Sequence, residues 1–324
     1  MKRGLVLGKF MPLHNGHIAM VEFAKTQCDQ VILLLCAEQD EHINALTRIE
    51  FLDDVFGNDV KVHINYMSYN KNNLTSSSVP DEEATKKWAD KILSYNFDLD
   101  VIISSEEYGQ YLADFMGIEC INYDIERTTL PVSATMIREN PYINWDKIPD
   151  PVQKYYYKKI CVVGTESTGK TTLAKRLTEH FAGYYVGEMG RELTDGVYDV
   201  KYEDLEKIAK AHALRVFFND NYSNKIMIVD TDINITKSYS KFLFNKELKY
   251  PQFVDDYNNY DLYLFLDNDV PHIQDGSRLT EEDRNKLKDY HIRELEDAGI
   301  DYKTISGNWD ERFDKAVKLI LELT

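Results

Sequence analysis

The chain is poor in cysteine, with four in 324 residues: Cys28, Cys36, Cys120 and Cys161. None forms a CxxC pair or a metal-ligand spacing. That excludes a disulfide-stapled secreted fold and a zinc ribbon, and leaves reduced, buried thiols in a cytoplasmic protein as the expectation. Long apolar runs are missing too. None reaches the ~18 residues that a membrane span needs. Met1-Lys2-Arg3 leads directly into strand-like sequence, with no room for a signal-peptide core, so no membrane partner is expected. Positive charge is short: 38 Lys and Arg stand against 55 Asp and Glu, a net charge of −17. A phosphate backbone demands a basic face, so no nucleic-acid partner is expected. A small anion held in a local basic pocket stays open. There is no short-period repeat and no low-complexity tract.

What is there is alternation. Strand-like runs at Arg3–Leu7, Gln30–Cys36, Val60–Tyr66, Val101–Ser104 and Glu119–Asn122 are separated by helix-length amphipathic stretches such as Ile18–Gln27 and Asp81–Ser94. The rhythm breaks at Pro141–Tyr157, where three prolines and a tyrosine cluster read as a linker or docking segment. It restarts with strands at Lys159–Val163, Ile226–Asp230, Leu262–Leu266 and Tyr302–Ile305. This pattern predicts an α/β fold in two domains, 1–150 and 151–324, each a parallel sheet with flanking helices.

The second half carries GTESTGKT, Gly164 to Thr171, after a strand and before a helix. This is the P-loop pattern in its required context. Gly164 and Gly169 let main-chain N–H groups converge on phosphate, and the helix N-terminus adds positive potential. Lys170 is expected on the β and γ phosphates, and the Thr171 hydroxyl on Mg²⁺. Thr165, Glu166, Ser167, Thr168 and Thr172 complete the expected ATP cradle. IMIVDTD supplies acidic residues at a strand end, Asp230 and Asp232. One is expected near the metal, with Asp230 preferred there, and one near the acceptor hydroxyl as base; the sequence does not order them. Gln274 to Arg284 reads as a lid that brings Arg278 to the phosphates. Glu188 to Glu192, with Arg191 and Glu192, is a candidate acceptor site. Ser306 to Trp309 lies at a late strand end, where adenine would pack.

The first half opens with Gly8-Lys9-Phe10-Met11-Pro12-Leu13-His14-Asn15-Gly16-His17 between a strand and a helix. His14 and His17 lie i, i+3 and share one side of the first helical turn. Gly16 allows close approach to the backbone. Two flat donors at a helix N-terminus suit phosphate oxygens. A second anion site is written in Val132-Ser133-Ala134-Thr135-Met136-Ile137-Arg138, a serine N-cap with an arginine one turn later.

These two motifs resemble the paired signatures of the nucleotidyltransferase superfamily that adenylylates small phosphates. Their union with a P-loop half resembles the bifunctional nicotinamide-nucleotide adenylyltransferase and ribosylnicotinamide kinase family, the NadR type. The likeness runs over nearly the whole chain and includes Ser104-Ser105-Glu106, Asp124 with Arg127, Gly190-Arg191-Glu192, Asp230-Thr231-Asp232 and Asp275-Gly276-Ser277-Arg278. It implies a Rossmann-like domain followed by a P-loop kinase. It implies ATP as co-substrate, Mg²⁺ as cofactor, nicotinamide riboside and its mononucleotide as substrates, and NAD as product. It places Gly8, Phe10, Gly16, Ser104, Arg127, Ser133 and Thr135 at ATP, with Lys9, His14, His17 and Arg138 acting on the triphosphate. It places Trp88 on the nicotinamide ring, with Arg48 a further substrate candidate. Gly187 departs from the pattern, since an aromatic is expected there. A DNA-binding repressor role is not expected. The sequence leaves a homo-oligomer open.

Three other readings are weighed. A flavin-nucleotide enzyme would pair its adenylyltransferase with a β-barrel kinase, which GTESTGKT argues against. A nucleotide sensor without turnover is argued against by the complete set of anion-binding residues in both halves, and if one half lacks activity the looser match of the second half points to the kinase.

Overall fold

The computed structural model describes all residues except 39, 71–73, 75–81, 195–199, 271–278 and 324. Arg278 and most of the expected lid therefore lie outside the described residues, as do Asp81 at the head of an expected helix and the Arg191 side chain. The chain divides into two compact units, Met1–Tyr155 and Tyr156–Thr324. The division falls a short step beyond the expected boundary at 150.

In the first unit the elements run β1 (Arg3–Gly8), α1 (Asn15–Gln27), β2 (Gln30–Glu38), α2 (Ala45–Phe56), β3 (Val62–Tyr69), α3 (Glu82–Leu93), β4 (Val101–Ser104), α4 (Tyr108–Met116), β5 (Glu119–Asn122), α5 (Ala134–Glu139) and α6 (Asp150–Tyr156). The strands form one parallel sheet in the order β3-β2-β1-β4-β5. Helices cover both faces, so β2 is an unbroken apolar run, buried from Val31 to Ala37. The strand order reverses beside β1, and ligands of open α/β sheets gather at the carboxyl ends there. The loop after β1 holds the first motif.

The second unit runs β6 (Lys158–Gly164), α7 (Lys170–Phe181), β7 (Tyr184–Val186), α8 (Gly190–Leu193), α9 (Tyr202–Asn219), β8 (Ile226–Asp230), α10 (Ile233–Phe244), α11 (Phe253–Asp256), β9 (Leu262–Leu266), α12 (Glu281–Asp297), β10 (Tyr302–Ile305) and α13 (Trp309–Leu321). Its parallel sheet has the order β10-β9-β6-β8-β7. β6 is central, and Val162 lies in register with Asp230, so the P-loop and the acidic strand end open on the same edge.

Three expectations need correction. β3 starts at Val62 rather than Val60, because Asp59 accepts from the Lys61 amide at 2.9 Å and holds a turn that leaves Val60 exposed. α1 starts at Asn15 rather than Ile18, because His14 caps it. The proline-rich stretch after 140 is not a bare linker. Tyr142, Trp145, Ile148 and Val152 are buried, and the Asn144 amide donates to the Met136 and Asn140 carbonyls at 3.1 and 3.0 Å, closing the end of α5. The Asn15 amide donates to the Asp146 carbonyl at 3.0 Å, which ties this stretch to the first motif.

Candidate active sites

At the start of α1 the two histidines cap the helix and each other. The His17 amide donates to His14 Nδ1, and the His14 amide donates to His17 Nδ1, both at 3.3 Å. The imidazoles stack with centroids 3.6 Å apart and planes 15° from parallel. An Nδ1 that accepts from an amide carries a lone pair, so each neutral ring holds its proton on Nε2. Burial, with the positive Arg127 adding to it, holds His14 down to about 4 and His17 well below the usual histidine range. Near pH 7 the pair is thus two neutral Nε2–H donors in fixed orientation.

The residues around them account for the rest of the motif. Phe10 is buried at φ +46° and sets its ring edge-on to His17 at 5.0 Å. A side chain at Gly8 would press on the Phe10 ring, and one at Gly16 would meet Val132 at 3.0 Å and the His14 ring at 3.1 Å. Gly16 therefore lets the second motif pack on the first. Ser133 caps α5 by accepting from the Met136 amide at 3.2 Å. Arg138 donates to the Met11 carbonyl and, at 3.1 Å, to Thr135 Oγ1. Both motifs thus converge on one carboxyl end of the sheet.

Lys9 pairs with Glu41 at 3.0 Å, and Glu41 also takes Arg48 at 2.6 Å. Arg48 is fully buried and donates to the Lys9 carbonyl at 2.9 Å, so it braces the loop that carries Lys9. Arg127 is exposed, at φ +51°, with Glu106 3.8 Å away. Ser104 holds the turn after β4 by donating to the Glu106 carbonyl at 2.8 Å. Trp88 sits in the core, edge-on to Tyr69 at 4.9 Å and packed among Leu5, Leu34 and Ile102.

At the P-loop, a methyl group added at Gly164 (φ +140°) would sit 2.7 Å from the Leu266 carbonyl oxygen. One added at Gly169 (φ +88°) would collide with the Trp309 ring, so neither position tolerates a side chain. Ser167 also has positive φ, +59°. Lys170 is buried, and its ammonium donates to the Thr165 carbonyl at 3.0 Å. Thr168 Oγ1 donates to the same carbonyl at 2.7 Å, and Thr165 Oγ1 to Asn268 at 2.5 Å. Glu166 accepts from the Leu279 amide, at the end of the expected lid. Thr172 follows Thr171 on the first turn of α7.

The two aspartates separate clearly. Thr171 donates to Asp230 Oδ2 at 2.6 Å, and Tyr185 donates to the same oxygen at 3.2 Å, while Asp230 Oδ1 is buried with no partner among the described residues. Asp232 caps α10, with Oδ1 accepting from the Ile235 amide at 3.0 Å. Its Oδ2 accepts from Asn234 at 2.7 Å and Tyr263 at 3.1 Å. The Glu192 carboxylate is held by both Arg215 nitrogens, at 2.6 and 2.8 Å.

Several contributors were not legible as site residues. Buried Arg312 donates to the Thr168 carbonyl at 2.8 Å and the Gly307 carbonyl at 2.9 Å, and pairs with Asp269. Buried Arg284 points Nε at Thr165 Oγ1, 3.4 Å away. Glu41 and Tyr185 carry no motif. Arginines at i, i+3 or i+4 from apolar helix positions are the one sequence signal that marks Arg284 and Arg312 as inward-facing.

Fold and geometry define a nucleotidyltransferase-type domain joined to a P-loop domain. Residues 5–140 match the cytidylyltransferase-like family and residues 159–312 the AAA domain family. The trifunctional NAD biosynthesis/regulator protein NadR of Escherichia coli K12 is 28% identical, over 99% of this chain and 83% of that protein. The nicotinamide-nucleotide adenylyltransferase of Thermococcus kodakarensis is 29% identical, over 42% of this chain and 71% of that protein. A crystal structure of NadR in complex with NAD and AMP-PNP superposes with a TM-score of 0.55 at 21% identity, covering 100% of this chain and 96% of that one. The chain is thus similar to the NadR proteins along nearly its whole length.

Proposed function

We propose that the chain makes NAD in two ATP-dependent steps. The C-terminal unit phosphorylates nicotinamide riboside to the mononucleotide. The N-terminal unit joins that mononucleotide to the adenylyl group of ATP and releases pyrophosphate. The observation that carries this reading is the pair of differently built anion sites, stacked neutral imidazoles at α1 and a glycine cradle with a buried carboxylate at α7. The names of the relatives in both halves support it: one is an NAD biosynthesis protein and one a nicotinamide-nucleotide adenylyltransferase.

For adenylyl transfer the nucleophile is a phosphate monoester, with a second pKa near ~6, already anionic at pH 7. No general base is needed, and the work is alignment and charge stabilisation. His14 and His17 donate Nε2–H to triphosphate oxygens. Lys9, released from Glu41, and Arg127 and Arg138 neutralise the rest. Gly8, Phe10, Gly16, Ser104, Ser133 and Thr135 shape the ATP site. Arg48 braces the Lys9 loop from behind, and Trp88, enclosed in the core against Tyr69, supports this side through packing rather than as a face for the nicotinamide ring.

For the kinase step the acceptor is a neutral alcohol, whose proton passes to an aspartate at the end of β8, Asp230 or Asp232, as the new O–P bond forms and the bond to ADP breaks. Lys170 leaves the Thr165 carbonyl for the β and γ phosphates, and Trp309 offers a flat face beside Gly169. Thr171 and the orphaned Asp230 Oδ1 are the residues that fit a magnesium ion; among the described residues no cluster of three His, Cys, Asp or Glu would hold one alone, as suits an ion carried in with phosphates. Magnesium supplies neutralisation of charge on the transferring phosphoryl group. Asp232, with both oxygens engaged, shapes the acceptor side through α10. Glu192 is held by Arg215 and orders α8 next to the acceptor. Free thiols and ATP dependence fit a cytoplasmic enzyme. No described helix is long and apolar enough to cross a membrane.

Substrate swapping tests this reading. Mononucleotide with Mg·ATP gives equal amounts of NAD and pyrophosphate and no ADP. Riboside with Mg·ATP gives ADP as well. Absence of NAD from either substrate contradicts the proposal.

A further inference from the structure

Tyr185 contributes to the kinase site without belonging to any motif. It is the middle residue of the short strand β7, and its hydroxyl reaches the most buried carboxylate of the unit, Asp230, at 3.2 Å. Thr171 reaches the same Oδ2 at 2.6 Å. Two donors on one oxygen fix the rotation of the carboxylate. The other oxygen, Oδ1, is buried and has no partner among the described residues. A buried carboxylate oxygen without a partner is costly unless something arrives to meet it. The phenol is itself held in place. Its ring lies over Gly187, where an added methyl would come within 3.3 Å of Cε1 and 3.4 Å of the hydroxyl, and the Lys175 ammonium stands 5.7 Å from the ring centre. Burial, then the Asp230 charge, push the hydroxyl's pKa upward, so it stays a proton donor.

Resting on the kinase reading above, we propose that Tyr185 is a positioning residue: its hydroxyl, together with that of Thr171, clamps Asp230 Oδ2 so that Oδ1 is presented to the magnesium–phosphate group. Tyr185 does not touch the reacting atoms. It acts through Asp230.

The test is ADP binding by the full-length chain, measured calorimetrically with and without Mg²⁺, with Lys170→Ala as the blank that removes binding at the N-terminal unit from the comparison. The wild-type chain binds ADP more tightly with Mg²⁺. Tyr185→Phe keeps the ring on Gly187 and loses about tenfold of that magnesium-dependent gain, with magnesium-free affinity unchanged, as expected for a residue that orients a metal ligand. Gly187→Ala pushes the phenol outward and loses part of the same gain. Unchanged adenylyl transfer and thermal midpoint show that both variants are folded. A full magnesium gain in both variants overturns the role of Tyr185, as does an equal loss with and without the metal; either result leaves the kinase reading standing. No Lys170-dependent ADP binding in the wild-type chain overturns both.

Discussion

In the proposed reading, the start of α1 offers phosphate mainly side chains, whereas the start of α7 offers a main-chain cradle with Lys170 beside it. His14 and His17 commit their Nδ1 atoms to the helix's own amides and keep Nε2–H for a ligand. Gly164 and Gly169 have no side chains to commit, and that lack turns the amides themselves toward the ligand. The acceptors explain the difference. An anionic mononucleotide brings its own nucleophile, so donors that align it and cations that neutralise charge suffice, without a base. A riboside hydroxyl is a poor nucleophile, and its site adds a carboxylate, Asp230, tied to Thr171 and Tyr185.

The largest effect that separates the two sites comes from Lys170→Ala. Riboside phosphorylation falls on the order of 10³-fold while adenylylation of the mononucleotide persists, as product chromatography with each substrate will report. Parallel loss of both activities in a folded variant would break the division. His17→Ala does the reverse, at roughly 10²-fold on pyrophosphate release, with phosphorylation kept.

The aspartates sharpen the comparison further. Asp232→Ala removes a helix cap and strands the buried Asn234 amide, so it lowers unfolding free energy by about 2 kcal/mol in denaturant titration. Asp230→Asn instead stops phosphorylation with a smaller loss of stability. Should Asp232→Ala leave the denaturation midpoint untouched, its assignment as a cap is wrong.

Acid separates native from unfolded histidines. An unfolded histidine titrates near ~6.5. In the folded chain burial holds His14 down to about 4 and His291 down to about 3, with Lys170 adding to the latter. The unfolded chain therefore takes up protons first, and stability falls as pH drops from about 6.5 towards 4. Thermal midpoints between pH 7 and 5 should decline, less steeply in His291→Asn. A flat profile would contradict buried neutral histidines. The smallest effect is that of Arg215→Ala. Its pair with Glu192 lies at the surface, so its loss barely moves the denaturation midpoint, and the riboside KM shifts only slightly.

Much of the fold was legible because both sheets are buried on two faces. β4, β5, β8, β9 and β10 read as strand-like runs with the bounds they have in the structure. The three-residue β7 escaped the sequence pattern, being too short for a period and half exposed at an edge. The stretch after 140 reads as a linker or a docking segment, and the burial of Tyr142 and Trp145 fits the second; the prolines hide which of the two it is. Among candidate site residues, those on a rigid turn stand out by glycine and histidine spacing. Those that act through another residue do not. Glu41 means something only beside Lys9 and Arg48, and Tyr185 only beside Asp230, and those juxtapositions are made by β-strand order, not by neighbours in sequence.

The central claim is that two independent sites each perform one step. Complementation tests it most directly. Lys170→Ala and His17→Ala, each incubated alone with nicotinamide riboside and Mg·ATP, should form NAD only at a small fraction of the wild-type rate, and His17→Ala should accumulate the mononucleotide. Mixed in one tube, they should form NAD after a lag. A mixture that stays inert, with both variants folded and each keeping its own half-reaction, would contradict the account.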